Sequence, residues 1–248
     1  SLSINSENIF PIIKKWLYSD HDIFYRELIS NGCDAVTKLK KLDMMGEYSL
    51  PEGYKGRVDV IVDPEKKTLT FKDNGLGMTA DEVEEYINQI AFSGATDFIE
   101  KYKDKSNSDQ IIGHFGLGFY SAFMVSKRVT VKSLAFGEKQ AYVWQSEGVE
   151  GYTMDTCEKD TVGTEITLEL LDDVAADAEG NGGENYSEFL DQYRIQSLVK
   201  RYSDYIRFPI CMDMTKSRKK EDSDEYEEYV ENVTLNSMVS LWHKNKNE

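Results

Sequence analysis

The feature that most constrains the fold of this chain is a set of strand patterns that arrive as neighbouring hairpins. Segments 57–62 (RVDVIV) and 68–71 (TLTF) alternate, and the polar segment 63–67 between them fits a hairpin turn. The other segments with strand patterns are 128–134, 140–146, 164–171 and 207–212. Adjacent hairpins predict a mostly antiparallel sheet.

Helical patterns are grouped between these strands. Segment 22–42 reads as a long helix, with Asp20 or Asp22 as its cap, and Thr79 starts another helix with the spacing of a capping box. A third helix is predicted from 187 to about 206, and the opening of the chain also looks helical. The nearly all-charged segment 215–228 reads as an excursion or linker. Because strands and helices do not alternate throughout, we expect an α+β fold: a two-layer α/β sandwich whose mostly antiparallel mixed sheet is covered on one face by helices.

Composition excludes several classes of protein. The 248 residues carry a formal net charge of −16, whereas a nucleic-acid-binding protein carries a basic face. No apolar run approaches the 18 residues that suggest a membrane span, and the first residues do not resemble a signal peptide. The widely spaced Cys33, Cys157 and Cys211 indicate a reducing compartment. We therefore expect a cytoplasmic protein that binds neither membranes nor nucleic acids.

The first long helix carries a polar stripe next to its apolar face. At about 100° per residue, Glu27, Asn31, Asp34 and Lys38 share this stripe. An amide oxygen is a suitable ligand for Mg²⁺, and a carboxylate one turn earlier is placed to polarise a water molecule. The alternative is a solvated face with ordinary ion pairs, such as Asp34 with Lys38.

Two further patterns contain glycines. Asp73 ends a predicted strand before Gly75 and Gly77, where its carboxylate can accept a hydrogen bond from an amine such as that of adenine, with Met78 packed on the ring. The two glycines lack a Cβ and so let the backbone approach such a flat ring closely. The alternative is a tight turn. Later in the chain, Thr164 opens a strand after Gly163, and we expect its hydroxyl to reach the same ring or its waters. The alternative is an ordinary strand start after a glycine.

The glycine-rich segment 113–118 (GHFGLG) leads into an apolar helical start, and backbone N–H groups at such a start can bind phosphates. Gly116, Gly118 and Ser121 nearly match a dinucleotide-binding fingerprint, but that motif requires a preceding strand, and the segment before it is polar and broken. No P-loop pattern is present in the sequence.

Taken in this order, three motifs resemble the nucleotide-binding domain of the 90-kilodalton heat-shock chaperone family, in particular its bacterial branch, within the GHKL ATPases. They are 24–31 (FYRELISN) with Asp34-Ala35, 73–79 (DNGLGMT) and 113–123 (GHFGLGFYSAF). The resemblance covers about residues 5 to 215. It implies an α/β sandwich that binds ATP or ADP with Mg²⁺.

The resemblance also implies roles for residues. Glu27 would be the general base, Asn31 the magnesium ligand, and Asp73 the partner of the adenine amino group. Segment 93–110 would form a lid over the nucleotide. The other cofactor-binding residues implied are Asp34, Ala35, Gly77, Met78, Ser93, Gly94, Gly113, Gly116, Leu117, Gly118, Phe119 and Thr164. The sequence departs from the family pattern at Tyr86, where an asparagine is usual, and at Phe92, where a lysine is usual.

For the whole protein, the resemblance implies a homodimeric chaperone that acts on client proteins. Residues 1–215 would be the ATP-binding domain, and 216–248 a charged segment leading to a middle domain that supplies a catalytic arginine. We expect the isolated domain to be monomeric with little turnover. Two alternatives stay open: a nucleotide-gated interaction module with negligible hydrolysis, and another GHKL ATPase domain, such as that of a topoisomerase or kinase.

Overall fold

The protein is described from a computed structural model, which covers residues 22–89, 118–148 and 151–239. The predicted helical opening of the chain and the predicted lid, 93–110, lie outside these residues. None of the helices in the described ranges combines the length and apolar character needed to cross a membrane.

The described residues form helices and strands in an α+β order. The helices are α1 (Ile23–Met44), α2 (Ala80–Gln89), α3 (Gly118–Met124) and α4 (Gln192–Ser203), with a 3₁₀ helix at Ser187–Leu190. The strands are β1 (Val58–Asp63), β2 (Thr68–Asp73), β3 (Ser126–Leu134), β4 (Ala141–Ser146), β5 (Tyr152–Cys157), β6 (Gly163–Leu170), β7 (Ile210–Lys219) and β8 (Tyr226–Thr234).

These strands form one open sheet in the order β5-β4-β3-β6-β2-β1-β7-β8. Within it, only the pairing of β1 with β7 is parallel. The predicted hairpin is β1–β2, whose register runs from Val58 opposite Asp73 to Asp63 opposite Thr68. The prediction of a mostly antiparallel mixed sheet is confirmed.

Helices cover the inner face of this sheet. Buried and half-buried residues alternate along β2 and β6, as expected when one face is packed. Helix α1 contacts β1, β2 and β6, α3 contacts β3, and α4 lies against α1. The aromatic residues Phe24, Tyr25, Phe71 and Phe189 join the two layers, with ring centroids 4.7 to 6.4 Å apart. The predicted α+β sandwich is confirmed.

The helix N-termini follow local rules to different degrees. At α2, Thr79 N donates to Glu82 Oε1 at 3.0 Å and Glu82 N donates to Thr79 Oγ1 at 3.3 Å, which is the predicted capping box. Asp22 occupies the N-cap of α1 but makes no side-chain cap there. Its carboxylate instead accepts hydrogen bonds from Arg194 and Tyr202, and so ties α1 to α4.

The helix predicted from 187 to about 206 is divided in two. Asp191 lies between the 3₁₀ helix and α4 with an extended backbone, at φ −79° and ψ 123°. Its carboxylate accepts from Tyr193 N at 3.0 Å and Arg194 N at 2.9 Å. Because this side chain caps α4, the helix begins at Gln192.

The charged segment 215–228, predicted as an excursion or linker, instead contributes the ends of the two paired strands of a ribbon and the turn between them. Strands β7 and β8 pair antiparallel, and β7 runs across the predicted domain boundary at 215/216. The charges pair across the ribbon: Lys216 with Glu231 at 3.1 Å and Arg218 with Glu227 at 2.8 Å. Opposite charges on facing strands stabilise a sheet, so a nearly all-charged sequence is compatible with strands here. Strand β5 was also not predicted.

A first prediction concerns the contact between α1 and the 3₁₀ helix. Tyr25 is fully buried, and its hydroxyl donates to Phe189 O at 2.6 Å. Tyr25→Phe leaves this buried carbonyl without its donor. We therefore expect urea unfolding to show that the free energy of unfolding falls by about 1–2 kcal/mol. The control Tyr193→Phe, at an exposed position, should change stability by less than about 0.5 kcal/mol. Equal losses in both variants would contradict the prediction.

Candidate functional site

A cavity of about 380 Å³ lies between α1, α2 and the ends of strands β1, β2 and β6. This volume is within the range typical of small-molecule sites. Its lining includes these residues that the sequence assigned to the site: Asn31, Asp34, Ala35, Asp73, Gly77, Met78 and Thr164. Residues from α1, from the β2–α2 loop and from a strand 90 residues later thus meet at one place.

Asp73 lies at the sheet side of this cavity. It is 7% exposed, because the alternation along β2 places it on the inner face after Leu69 and Phe71. Gly75 N and Thr164 N donate to its Oδ1 at 2.9 and 3.4 Å. Both hydrogen bonds that described residues donate to this carboxylate end on Oδ1, which leaves Oδ2 to accept from a group that enters the cavity.

Burial raises the pKa of the Asp73 carboxyl from its ordinary 3.8 to about 6. The hydrogen bonds from the backbone of Gly75 and Thr164 and the positive charge of Lys159 act in the opposite direction, and only partly offset the burial. Near neutral pH, Asp73 is therefore an ionised carboxylate in a desolvated position, where a hydrogen-bond donor is bound more strongly than in water.

A chain of hydroxyl groups supports the wall beside Asp73. Ser133 Oγ accepts from Met78 N at 2.8 Å and lies 2.8 Å from Thr164 Oγ1. Both hydroxyls are buried, with exposures of 0% for Ser133 and 5% for Thr164. The network connects the β2–α2 loop to β3 and β6, and therefore holds Met78 and Thr164 on adjacent sides of the cavity.

The two glycines after Asp73 serve close backbone packing. A Cβ at Gly75 would collide with the backbone of Ala35 on α1, and one at Gly77 would collide with Leu134 O. Gly77 also has φ +70°, a conformation that L side chains rarely adopt. The sequence interpretation assigned both glycines to the approach of a flat ring. Gly77 does line the cavity, but the space beside Gly75 is filled by α1.

The polar stripe of α1 faces the cavity for most of its length. Asn31, Asp34 and Lys38 line it, and the apolar arc of the same helix is buried. Glu27 is not among the lining residues. Its side chain is 18% exposed, and Arg26 donates to its Oε1 from Nη2 at 2.8 Å and from Nε at 3.2 Å.

Some lining residues were not predicted. Leu28, Phe71 and Ile166 add apolar surface, and the helical face that carries Glu82, Glu85 and Tyr86 forms the wall opposite α1. Tyr86 was noticed in the sequence only as a departure from a family pattern. The signal that places it here is its spacing: it follows Glu82 by one turn, on the same face of α2.

The charges around the cavity are mostly negative. Its described lining carries Asp34, Asp73, Glu82 and Glu85 against Lys38. A phosphate group entering this cavity needs a cation or N–H donors to offset that field. Within the described residues, no group of three or more His, Cys, Asp or Glu side chains is able to hold a metal ion.

Several predicted site residues cannot be placed. Ser93, Gly94, Gly113, Gly116 and Leu117 lie outside the described residues. Gly118 begins α3, and the Phe119 ring, 3% exposed, packs in the core and not against the cavity.

Comparisons with known proteins identify the family of this chain. Residues 24–178 match the family described as histidine kinase-, DNA gyrase B-, and HSP90-like ATPase, and residues 188–248 match the Hsp90 protein family. The chaperone protein HtpG of Clostridium botulinum is 45% identical over 244 residues. Those of Bacillus velezensis and Clostridium perfringens are 45% identical over 244 residues and 46% identical over 247.

Each of these alignments covers 98% of this chain but 38% of the relative. The chain therefore spans well under half the length of the curated relatives it matches. The first family match, by contrast, covers more than half of the chain and contains every described residue that lines the cavity. On this evidence, the chain belongs to the family of histidine kinase-, DNA gyrase B- and HSP90-like ATPases.

Proposed function

We propose that this chain binds and hydrolyses ATP, with Mg²⁺, as the nucleotide-binding domain of a molecular chaperone that assists protein folding. The observation that carries the proposal is the buried Asp73 carboxylate, in which the hydrogen bonds from the described residues all end on Oδ1 and leave Oδ2 for the cavity. A protein tolerates such a buried charge where a ligand completes its hydrogen bonding.

The adenine amino group is the donor that Asp73 Oδ2 would bind. Thr164 and Gly77 would lie at the edge of the ring, and Met78 would pack on its face, since these residues line the cavity beside Asp73. Asp34 and Ala35 would form the α1 side of the site. The sugar and phosphates would then extend toward Asn31.

The side-chain oxygen of Asn31 is of the type that binds Mg²⁺. Asn31 offers one hard oxygen ligand, and Mg²⁺ commonly takes its remaining ligands from phosphate oxygens and water. This agrees with the absence of a larger ligand cluster among the described residues. When bound, Mg²⁺ would offset the negative charge that the nucleotide shares with Asp34, Glu82 and Glu85. Segment 113–119 would hold the phosphates through backbone N–H groups, and it stays a prediction.

Glu27 is the residue that would accept the proton of the attacking water. It lies one turn before Asn31 on α1, and both of its hydrogen bonds from Arg26 end on Oε1, so Oε2 is the oxygen that would act as base. Arg26 would hold the carboxylate in position. Action on client proteins is part of the same proposal, and it is supported by relatives named as chaperones. We include in the proposal homodimerisation of the whole protein, a cytoplasmic location and low turnover of the domain alone.

The binding role of Asp73 is tested by Asp73→Asn. The Asn side chain keeps an oxygen for Gly75 N and Thr164 N, which turns its NH₂ group toward the adenine amine, so two donors face each other. We expect calorimetry with Mg-ADP to show that affinity falls by about 10- to 100-fold. The exposed Asp155→Asn on β5 serves as the control and should bind normally. Unchanged affinity in Asp73→Asn would refute the adenine assignment.

The same variant should fold more stably. The pKa of Asp73 is raised in the folded state, so its ionisation destabilises the fold above about pH 6, and this effect disappears as the pH falls toward 4. The rise from 3.8 to about 6 corresponds to roughly 3 kcal/mol. Without nucleotide, urea unfolding should show a stability gain in Asp73→Asn that is largest above pH 6 and shrinks toward pH 4. A gain independent of pH would contradict this origin.

The base assignment is tested by Glu27→Ala in the full-length polypeptide. We expect nucleotide affinity to stay within about threefold and the rate of phosphate release to fall by about 10²- to 10⁴-fold. Glu84→Ala removes a glutamate of α2 that does not line the cavity and is the matched control, with turnover retained. Retained turnover in Glu27→Ala would show that another group activates the water.

A further inference from the structure

Ser133 lies behind the wall of the cavity and does not line it. Its side chain, on the inner face of β3, is 0% exposed. Its hydroxyl oxygen has three neighbours: Met78 N at 2.8 Å, Thr164 Oγ1 at 2.8 Å and Gly163 O at 3.3 Å. Because Met78 and Thr164 both line the cavity, Ser133 can influence a ligand through them without touching it.

The chemistry of these neighbours allows two arrangements of the hydroxyl protons. Met78 N is a donor and Gly163 O an acceptor, whereas the Thr164 hydroxyl can be either. In the first arrangement, Ser133 donates to Thr164 Oγ1, and the Thr164 proton can point into the cavity. In the second, Ser133 donates to Gly163 O and Thr164 donates to Ser133 Oγ. Thr164 can then only accept from a ligand.

A purine base can use either arrangement. Under the proposed function the sugar and phosphates extend toward Asn31, so the edge of the base opposite the sugar lies deepest. It meets Asp73 and Thr164, which are 7% and 5% exposed. In adenine this edge carries the 6-amino group, a donor, beside N1, an acceptor. In hypoxanthine it carries a 6-oxo group, an acceptor, beside N1–H, a donor. Both contacts are therefore reversed.

We propose that Ser133 is a positioning residue, whose hydroxyl lets Thr164 donate to N1 of an adenine nucleotide or accept from N1–H of a hypoxanthine nucleotide. The Thr164 contact then does not discriminate between the two bases, and the choice between them rests on Asp73 Oδ2. The inference rests on the proposed function and adds to it a residue that acts through Thr164. Exchanging one acceptor for a donor at position 73 is therefore enough to change which base binds.

The first test is the base preference of Asp73→Asn, by calorimetry with Mg²⁺ and either ADP or inosine diphosphate. The Asn NH₂ group faces the cavity, because its oxygen stays with Gly75 N and Thr164 N. We expect the unmodified chain to prefer ADP by about 10-fold or more, and Asp73→Asn to prefer inosine diphosphate by a similar factor. The exposed control Asp155→Asn should keep the preference for ADP.

If Asp73→Asn bound neither diphosphate, the inference would be overturned, because Thr164 would then be fixed as a donor that rejects N1–H.

The second test, Ser133→Ala, separates positioning from a purely structural role. Without Ser133, Thr164 can still donate to N1, but a Thr164 hydroxyl that accepts from N1–H has lost the acceptor for its own proton. Loss of the acceptor for Met78 N affects both bases alike. We therefore expect Ser133→Ala to weaken inosine diphosphate binding in the Asp73→Asn background about 5- to 10-fold more than it weakens ADP binding in the unmodified background.

The matched control is Ser146→Ala on β4. Ser146 is also buried, and its hydroxyl likewise accepts from a backbone N–H, of Gly148 at 3.0 Å, and donates to a backbone carbonyl, of Gly151 at 2.7 Å. It does not line the cavity, so both affinities should stay unchanged. If Ser133→Ala does not fold, Ser133→Cys supports the same comparison, because a thiol is a much weaker acceptor than a hydroxyl.

Equal losses for the two diphosphates in the Ser133 variants would mean that Ser133 only supports the loop at Met78, and would overturn the inference while the proposed function stands. Failure of the unmodified chain to bind either diphosphate would overturn the proposed function, and this inference with it.

Discussion

The β2–α2 loop is held on both sides by backbone, and the cavity depends on this contact. Leu76 N donates to Ala35 O of α1 at 3.1 Å, and Leu76 O accepts from Phe136 N at 2.8 Å. Gly75 makes the approach to α1 possible because it has no side chain. The loop therefore has little freedom to move relative to α1 or to the end of β3. This fixes the distance between Asp73 on the sheet and the polar stripe on the helix.

The position of α1 also makes the Asp73 carboxylate costly to keep in the core. Helix α1 passes close to Asp73 at Gly32, where a Cβ would lie 3.3 Å from Asp73 Cβ and 3.0 Å from Val58 Cγ2. The helix shields the carboxylate from water and so raises its pKa. The same shielding makes Oδ2 a strong acceptor for a ligand. Under the proposed function, stability and binding are therefore opposed at this one residue.

Most of the fold and part of the site follow from local rules that a sequence displays. The alternation in 57–62 and 68–71 predicts the β1–β2 hairpin, and period two places Asp73 on the buried face. The capping box at Thr79 predicts the start of α2, and the arc of polar residues on α1 predicts which side borders the cavity. Each of these signals lies within a few residues, so no knowledge of distant contacts is required.

Other features depend on contacts that are distant in the sequence. The ribbon of β7 and β8 is stabilised by cross-strand charge pairs, which composition alone presents as a charged linker. Strand β5 is an edge strand with mostly exposed or half-exposed residues, so it lacks the apolar alternation of a packed strand. Asp is a common helix cap, but the apolar pattern continues through Asp191. The 3₁₀ helix and α4 therefore look like one helix in the sequence.

The position of Tyr86 depends both on local rules and on contacts that are distant in the sequence. The capping box sets the register of α2, and the buried Val83 and Ile87 show which face is packed. Glu82, Glu85 and Tyr86 then follow on a common face at spacings of three and four residues. What local rules do not supply is that this face lines the same cavity as Asn31, since that depends on how the β2–α2 loop is held against α1. The contact at Gly75 therefore helps to place both Asp73 and this face of α2 on the cavity.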